Sequence, residues 1–345
     1  MKTLFFGLNW IGDAVMSFPA LAAAAKLDGN PVDILTRPAL APVYSLSPDI
    51  GDVVGLDTKQ PFWNLLPELI AIRRRRYDRI IVLPRSFRSA FLAFLCGGVR
   101  RRGFIGEGRG LFLNDPASVP PWADAIHESR LHLALTDGTV SGNRPADGPA
   151  PFPELKSISS ADVETVRKKF GLNNTIGYIV IAPGAAFGEI KRWPAERFAA
   201  LGRHLRDRHG VTIAVSGSPA EAGLTSKIAS DIGAGAVDMA GRTTLDELFG
   251  LLAGARLLAC NDSGTMHLGA ALGAPLVVPV GPTDMARTGP MSERAAIVRG
   301  RACPGGTPCR RRECRYGTRI CLESVTVDAV TAAADNLLAK GIGTC

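Results

Sequence analysis

The chain has 345 residues, and because one hydrophobic core rarely serves a chain of this length, we expect two domains. Its 46% hydrophobic and 21% charged residues are typical of a globular protein and exclude an intrinsically disordered one. Its formal charge of +8 favours an anionic partner, such as a nucleic acid, an acidic substrate or an anionic membrane surface.

Short apolar runs alternate with helical patterns through the first half of the chain. The predicted strands are Lys2–Leu8, Val32–Thr36, Asp52–Leu56, Arg79–Leu83 and Gly103–Ile105. The turn after the first strand holds Asp13 where a P-loop needs a lysine, which excludes a Walker nucleotide site. A carboxylate at the start of a helix is either an N-cap or a base for an acceptor hydroxyl, and this turn by itself favours the cap.

The excess of positive charge is concentrated in the first half. The arginines there are Arg73–Arg76, Arg85, Arg88 and Arg100–Arg102. Such clusters favour a partner that carries phosphates or carboxylates, although a solvated helix face has the same pattern. Further along, Ser141–Pro153 is rich in Gly and Pro and has little apolar periodicity, which predicts a linker between the domains.

The second half repeats the alternation of strand and helix and ends in a predicted helix, Val325–Lys340. The predicted strands are Tyr178–Ala182, Val211–Ser216, Ala236–Met239, Leu257–Cys260, Leu276–Val280 and Ala296–Arg299. Unbroken apolar strands between helices indicate parallel sheets that are buried on both faces. Such sheets bind their ligands at the carboxyl ends of the strands, so the turns after strands are the place to expect a site.

Two of these turns carry charged candidates. Lys191 and Arg192 follow the first strand of the second half, where cations can reach a pyrophosphate. Glu221 follows the next strand and could hold a ribose or a base. The plainer interpretations are solvated surface cations and a carboxylate that favours the positive end of a helix.

The turn after Leu257–Cys260 is the most informative one. A predicted helix begins at Ser263, Gly264 and Thr265, and their unpaired backbone amides form a potential phosphate-binding site. Asp262, beside this anion-binding site, would accept hydrogen bonds from sugar hydroxyls. His267 lies one turn into the helix. The pattern therefore indicates a nucleotide-sugar site, with simple helix capping as an equally weighted alternative.

Four cysteines near the end of the chain, Cys303, Cys309, Cys314 and Cys321, surround Arg310–Arg312. No apolar run approaches the roughly 20 residues of a bilayer span, and no secretory segment is visible. We therefore expect a cytoplasmic protein whose cysteines are thiols or metal ligands. Their number favours a structural zinc or iron–sulfur centre, while the missing C-x2-C pairs favour reduced or redox-linked thiols.

Taken in order, these segments resemble glycosyltransferase family 9, the lipopolysaccharide core heptosyltransferases, and most of all the members that add the second heptose. The matching segments are Trp10–Asp13, Met16–Ser17, Tyr77–Arg79, Val82–Phe87, Leu113–Asp115, Pro183–Ala185, Phe187–Gly188, Lys191–Pro194, Asn261–Gly264, Met266–His267 and Gly281–Pro282. The resemblance implies that Asp13 is a base and not a cap.

The resemblance implies an α/β fold of the GT-B type, with two doubly wound Rossmann-like domains that face each other across a cleft. We expect an acceptor-binding domain at residues 1–155 and an ADP-heptose-binding domain at residues 156–325. A C-terminal helix at residues 326–345 would pack back toward the N-terminal domain.

The resemblance also implies inverting transfer of L-glycero-D-manno-heptose from ADP-heptose to the inner-core heptose of a lipid A-linked oligosaccharide. Asp13 would be the base, and Lys191 with the amides of Ser263–Thr265 would stabilise the departing ADP, so that no cofactor is required. The chain lacks an Asp-x-Asp triplet, which accords with this. The other implied donor-binding residues are Arg192, Glu221, Thr243, Asp262 and His267. The implied acceptor-binding residues are Arg73, Arg76, Arg85 and Arg88.

Such an enzyme would lie at the cytoplasmic face of the inner membrane, in peripheral contact with its anionic surface. Two alternatives stay open. One is a family 9 transferase that adds the first heptose to Kdo or another core sugar. The more distant one is a nucleic-acid-binding protein with a Cys-rich zinc module, but the aromatics among the arginines are too few for base stacking, so we expect no nucleic-acid partner.

Overall fold

The computed structural model describes residues 1–139, 143–172, 175–306, 309 and 311–341. The start of the predicted linker and Arg310 thus lie outside the described residues. The chain forms two compact units, the first comprising Met1–Lys156 with Ala286–Thr288 and the second comprising the rest of the described chain. The boundary lies between Lys156 and Ser157, where the sequence predicted one between residues 155 and 156.

The first unit is built around one parallel sheet with the strand order β3-β2-β1-β4-β5-β6. Its strands are β1 (Thr3–Phe6), β2 (Val32–Thr36), β3 (Ile50–Gly55), β4 (Arg79–Val82), β5 (Arg100–Phe104) and β6 (Asp115–Ala117). Its helices are α1 (Ile11–Asp28), α2 (Ala41–Ser45), α3 (Leu66–Arg74), α4 (Phe87–Cys96) and α5 (Glu128–Asp137).

The second unit is built around another parallel sheet, with the order β12-β11-β10-β7-β8-β9. Its strands are β7 (Tyr178–Ala182), β8 (Thr212–Val215), β9 (Ala236–Asp238), β10 (Leu258–Cys260), β11 (Leu276–Val280) and β12 (Ala295–Arg299). Its helices are α6 (Ser160–Lys169), α7 (Ala195–His209), α8 (Ala222–Ile232), α9 (Leu245–Ala253), α10 (Gly264–Ala271), α12 (Ile320–Glu323) and α13 (Val327–Gly341). Of the short helix α11 (Met285–Thr288), only Met285 belongs to the second unit, since the first unit includes Ala286–Thr288.

The two sheets have the same topology. In each, the chain winds outward in one direction, returns to the centre, and winds outward in the other direction. The winding reverses between β1 and β4 in the first unit and between β7 and β10 in the second. At such a switch point the two neighbouring loops diverge and leave a crevice at the carboxyl ends of the strands, which is where doubly wound folds bind ligands.

The central strands form because their side chains are apolar on both faces. Every residue of β1 and of β7 is buried, as expected for a parallel sheet that is covered by helices on both sides. The sequence missed β6, a three-residue edge strand that contains Pro116. Proline is tolerated at an edge because it has no amide hydrogen to give to a further strand, but it conceals the strand in a pattern search.

β5 begins at Arg100, three residues before the predicted start. The prediction began too late because the first three residues of the strand are arginines. The guanidinium of Arg102 donates to Asp115 on the neighbouring β6 at 2.9 Å, which pairs this charge within the sheet. The strand signal was therefore hidden by charged residues, one of which is paired with a carboxylate on the neighbouring strand.

The last helix, α13, packs against α7, β11 and β12 of the second unit. Its buried side chains, Val330, Ala334 and Leu338, belong to the core of that unit. The expectation that this helix packs back toward the N-terminal domain stays a prediction. Within the described residues, every helix is too short or too polar to cross a bilayer.

Candidate active site

The loops after β7 and β10 are held together by one buried amide side chain, that of Asn261. Its Nδ2 donates to the carbonyl of Pro183 at 2.6 Å, and its Oδ1 accepts from the backbone N–H of Trp193 at 3.0 Å. Asn261 is fully buried, so both bonds form in a low-dielectric interior. The side chain thereby sets the shape of the loop that carries Lys191, a role that the sequence pattern did not indicate.

A charged cluster occupies the switch point of the second sheet. The Nζ atom of Lys191 lies 2.5 Å from Oδ2 of Asp262, and the Thr283 hydroxyl donates to the same oxygen at 2.5 Å. The ring of Phe187 lies 5.1 Å from the Lys191 ammonium. Because the side chains of Lys191 and Asp262 are 19% and 9% exposed, the cation is held in one position at the mouth of the crevice. Sequence reasoning missed Thr283, which lies in the loop after β11.

Helix α10 begins beside this cluster. Its N-cap residue is Ser263, yet within the described chain the Ser263 side chain makes no capping hydrogen bond. The buried Ser263 hydroxyl and the Nε atom of Arg192 are both without a hydrogen-bond partner among the described residues. The capping interpretation is therefore wrong for Ser263. Unsatisfied donors next to a fixed cation and the positive end of a helix suit an anionic group such as a diphosphate.

The side chain of Glu221 packs against the loop after β7. Its carboxylate accepts from the backbone amide and the hydroxyl of Ser218, both at 2.8 Å, which closes a capping box. A methyl group placed on Gly184 would lie 2.0 Å from Oε1 of Glu221, so this close approach requires glycine. Thr243 is half-buried in the loop after β9, and His267 is buried in the first turn of α10.

Asp13 lies at the switch point of the first sheet. Helix α1 begins at Ile11 with Trp10 as its N-cap, so Asp13 is the third residue of the helix and the capping interpretation is wrong. Burial raises the pKa of the Tyr44 hydroxyl, and the nearby negative charge of Asp13 raises it further. That hydroxyl accepts from the backbone N–H of Leu8 at 2.9 Å, which fixes it beside the loop that carries Asp13.

A cavity of about 340 Å³ opens at the carboxyl ends of β1, β2 and β4. Three cations, Arg37, Lys59 and Arg88, line it together with polar and apolar neighbours. Arg88 donates through Nε to the carbonyl of Thr58 at 2.5 Å and through Nη2 to the carbonyl of Gln60. Sequence reasoning missed Arg37 and Lys59, and the available signal was the position of each soon after a predicted strand.

The four arginines predicted to bind the acceptor do not form one site. Arg85 and Arg88 follow β4 at its carboxyl end, whereas Arg73 lies in the last turn of α3 and Arg76 comes two residues after that helix. Two residues after Arg76, the amide of Asp78 donates to the carbonyl of Lys2 at the amino end of β1. The helix runs antiparallel to the strands, so its last turn lies near their amino-terminal ends, opposite to the cavity at their carboxyl ends.

The four cysteines line a second cavity, of about 160 Å³, in the second unit. Burial raises the pKa of the Cys321 thiol, and the neighbouring Cys303 raises it further. Among the residues that the structure describes, no three His, Cys, Asp or Glu side chains are grouped so that they could hold a metal ion. The hypothesis of a zinc or iron–sulfur centre at these thiols stays a prediction.

Comparison with known proteins agrees with this geometry. Residues 69–319 match the model of glycosyltransferase family 9 (heptosyltransferase). Lipooligosaccharide heptosyltransferase 2 of Haemophilus ducreyi is 30% identical over 98% of this chain and 100% of its own length. Lipopolysaccharide heptosyltransferase 2 of Escherichia coli K12 is 30% identical over 87% of this chain and 88% of its own.

The solved structure of the E. coli ADP-heptose lps heptosyltransferase II superposes with a TM-score of 0.85 and 27% identity, covering 99% of this chain and 100% of that one. This similarity and the two parallel six-stranded sheets confirm the predicted GT-B fold of two doubly wound, Rossmann-like domains.

Proposed function

This chain belongs to glycosyltransferase family 9, and from that membership we propose that it transfers L-glycero-D-manno-heptose from ADP-heptose to the inner-core heptose of lipopolysaccharide. The observation that carries the proposal is the cluster at the amino end of α10. There a cation held 2.5 Å from a buried carboxylate stands beside an unsatisfied serine hydroxyl and the positive end of a helix.

The donor would bind in the second unit. Lys191 and the first amides of α10 hold the diphosphate of ADP-heptose, and Arg192 adds a second charge nearby. Glu221 and Thr243, in the loops after β8 and β9, are positioned for the nucleoside, while Asp262 and His267 orient the heptose and the phosphates. Asp262 also positions Lys191, because the two side chains form an ion pair.

The acceptor would bind in the first unit, in the cavity that Arg88 lines. Asp13 takes the proton of the attacking hydroxyl as the bond from that oxygen to the anomeric carbon forms. The bond from the anomeric carbon to the ADP oxygen breaks at the same time, through an oxocarbenium-like transition state, and the configuration inverts. The negative charge that develops on ADP is stabilised by Lys191 and the α10 amides, which perform the role of a metal ion.

The transfer requires no cofactor in this proposal, and the cysteine cavity lies outside the chemistry. Metal analysis of anaerobically purified protein tests the cluster. About one equivalent of zinc, or iron with sulfide, would establish a structural centre. A metal-free protein with titratable thiols at these four positions would exclude one.

The choice of acceptor is tested by transfer assays with ADP-heptose and lipid A-linked acceptors that carry zero, one or two heptoses. We expect elongation of the one-heptose acceptor and of neither other. Efficient elongation of the zero-heptose acceptor would instead establish addition of the first heptose. Absence of transfer to all three, with ADP-heptose bound, would overturn the proposed substrate. The cytoplasmic location and the lipid A-linked partner rest on the same proposal.

A further inference from the structure

Six aromatic rings, contributed by α4, by the turn before α3 and by the loop after β5, form a continuous row in the first unit. Successive centroids lie 5.1 to 5.7 Å apart from Trp63 through Phe62 and Phe91 to Phe112, which in turn contacts Phe87 and Phe94. Phe62 and Phe112 pack against the core of the unit, so the row is anchored from within.

The outer members of this row and their aliphatic neighbours are exposed. We call these six side chains the apolar patch: Trp63 (60% exposed), Leu66 (38%), Ile70 (47%), Phe87 (47%), Phe94 (43%) and Leu111 (82%). Gly108, three residues before Leu111, packs close to Phe87: a methyl group added at Gly108 would lie 3.6 Å from the Phe87 ring. The turn that carries Leu111 therefore lies beside the patch. A cluster of exposed aromatic and aliphatic groups on one face marks an interaction surface.

Positive charge borders the patch on one side. Leu66, Ile70 and Arg74 are spaced four residues apart on α3, so they share its outer face. The guanidinium of Arg101 lies 5.4 Å from the ring of Phe94. Burial lowers the pKa of Arg101, and the nearby charge of Arg73 lowers it further, so two like charges lie close together here. Such a pair of guanidinium groups suits a phosphate.

We propose that the apolar patch and these arginines form the surface by which the protein binds an anionic lipid bilayer. Helices that lie in the membrane interface combine an aromatic and aliphatic face with flanking cations, which pair with lipid phosphates. Tryptophan in particular prefers the level of the headgroups. The apolar part of the surface inserts among the acyl chains, and the arginines at the end of α3 bind the headgroups.

The surface adjoins the cavity that Arg88 lines, which gives it a function in the proposed reaction. Phe87 precedes Arg88 in the chain, and the carbonyls that Arg88 holds, those of Thr58 and Gln60, belong to the loop that leads to Trp63. A lipid-anchored acceptor would therefore extend from the bilayer into this cavity. This step rests on the proposed function, whereas binding to the bilayer does not.

The test is flotation of the purified full-length protein with acceptor-free vesicles. Vesicles of phosphatidylethanolamine and phosphatidylglycerol should bind it, and phosphatidylcholine vesicles should bind it much less. Trp63→Ser with Leu111→Ser should lower the bound fraction at least about tenfold. Arg74→Gln should lower it about fivefold on the anionic vesicles and weaken the dependence on salt. As matched controls, Leu27→Ser (62% exposed) and Lys168→Gln (73% exposed side chain) should bind like wild type.

Equal binding by the patch variants and wild type, or failure of wild type to bind anionic vesicles, would overturn the inference. A wild-type dimer that the patch substitutions dissociate, with vesicle binding unchanged, would instead make this face an interface between copies. With a delipidated acceptor, the Trp63→Ser and Leu111→Ser protein should turn over like wild type. A wild type that binds vesicles but transfers no heptose would refute the proposed function and leave this inference standing.

Discussion

Replacing Asp13 with Asn should lower the rate of heptose transfer at least about a hundredfold while the affinity for ADP-heptose stays within about twofold of wild type. The amide has the size of the carboxylate but cannot take the proton of the acceptor hydroxyl. The proposed donor-binding residues all lie in the second unit, so donor binding should not change. Single-turnover transfer and calorimetric titration with ADP-heptose measure the two quantities separately.

The matched control for this variant is Asp246→Asn. Asp246 is also an acidic residue in the first turn of a helix, α9, and it is exposed. Each substitution removes a carboxylate that interacts favourably with the positive end of the helix dipole, and this loss costs about 0.3–1 kcal/mol of stability in either case. The control should therefore lose similar stability and retain transfer. Near-wild-type turnover in Asp13→Asn would end the assignment of Asp13 as the base.

Replacing Lys191 with Ala should weaken ADP and ADP-heptose binding about thirtyfold, equivalent to about 2 kcal/mol. The substitution removes the cation and also leaves the carboxylate of Asp262 uncompensated where the diphosphate should bind. Because the charge on ADP grows as the sugar leaves, kcat/KM should fall by more than the ground-state affinity does. Titration with ADP and steady-state kinetics separate the two effects.

Adding Asp262→Asn to Lys191→Ala should recover part of the lost ADP affinity, since the unpaired negative charge is then removed as well. Lys227→Ala is the control. Lys227 and Asp231 form an ion pair of the same length, 2.5 Å, but with side chains that are 60% and 36% exposed. An exposed pair contributes little, so this variant should bind ADP like wild type. Unchanged ADP affinity in Lys191→Ala would place the phosphates elsewhere.

The strands that were predicted best are those whose signal is purely local. Tyr178–Ala182 and Leu276–Val280 are apolar throughout, and the structure has β7 and β11 at these bounds. β6 was missed and the start of β5 was predicted too late, because the proline of β6 and the arginines of β5 obscure the apolar pattern. An unbroken apolar run makes a buried strand visible in sequence, whereas a strand that contains proline or several charged residues lacks this pattern.

The candidate site divides in the same way. Lys191 and Ser263 were predicted from their position just after a strand, a feature that the local sequence carries. The contact of Thr283 with the same carboxylate as Lys191 was not, since the three residues come from separate loops that meet only through the order of β7, β10 and β11. Likewise, the resemblance implied one acceptor site for Arg73 and Arg85, but the first lies in the last turn of α3 and the second follows the carboxyl end of β4.

By itself, then, the sequence determined the alternation of strand and helix, the parallel sheets and the turns where polar groups gather, because hydrophobic periodicity and turn chemistry are local properties. The tertiary structure alone decided which groups meet: Asn261 contacts both ends of the loop after β7, and Asp262 contacts Lys191. It also decided that the last turn of α3, with Arg73, lies near the amino-terminal ends of the strands and away from Arg85. The physical reason is that strand order and helix direction arise from packing the whole unit, and they bring together groups that no local pattern connects.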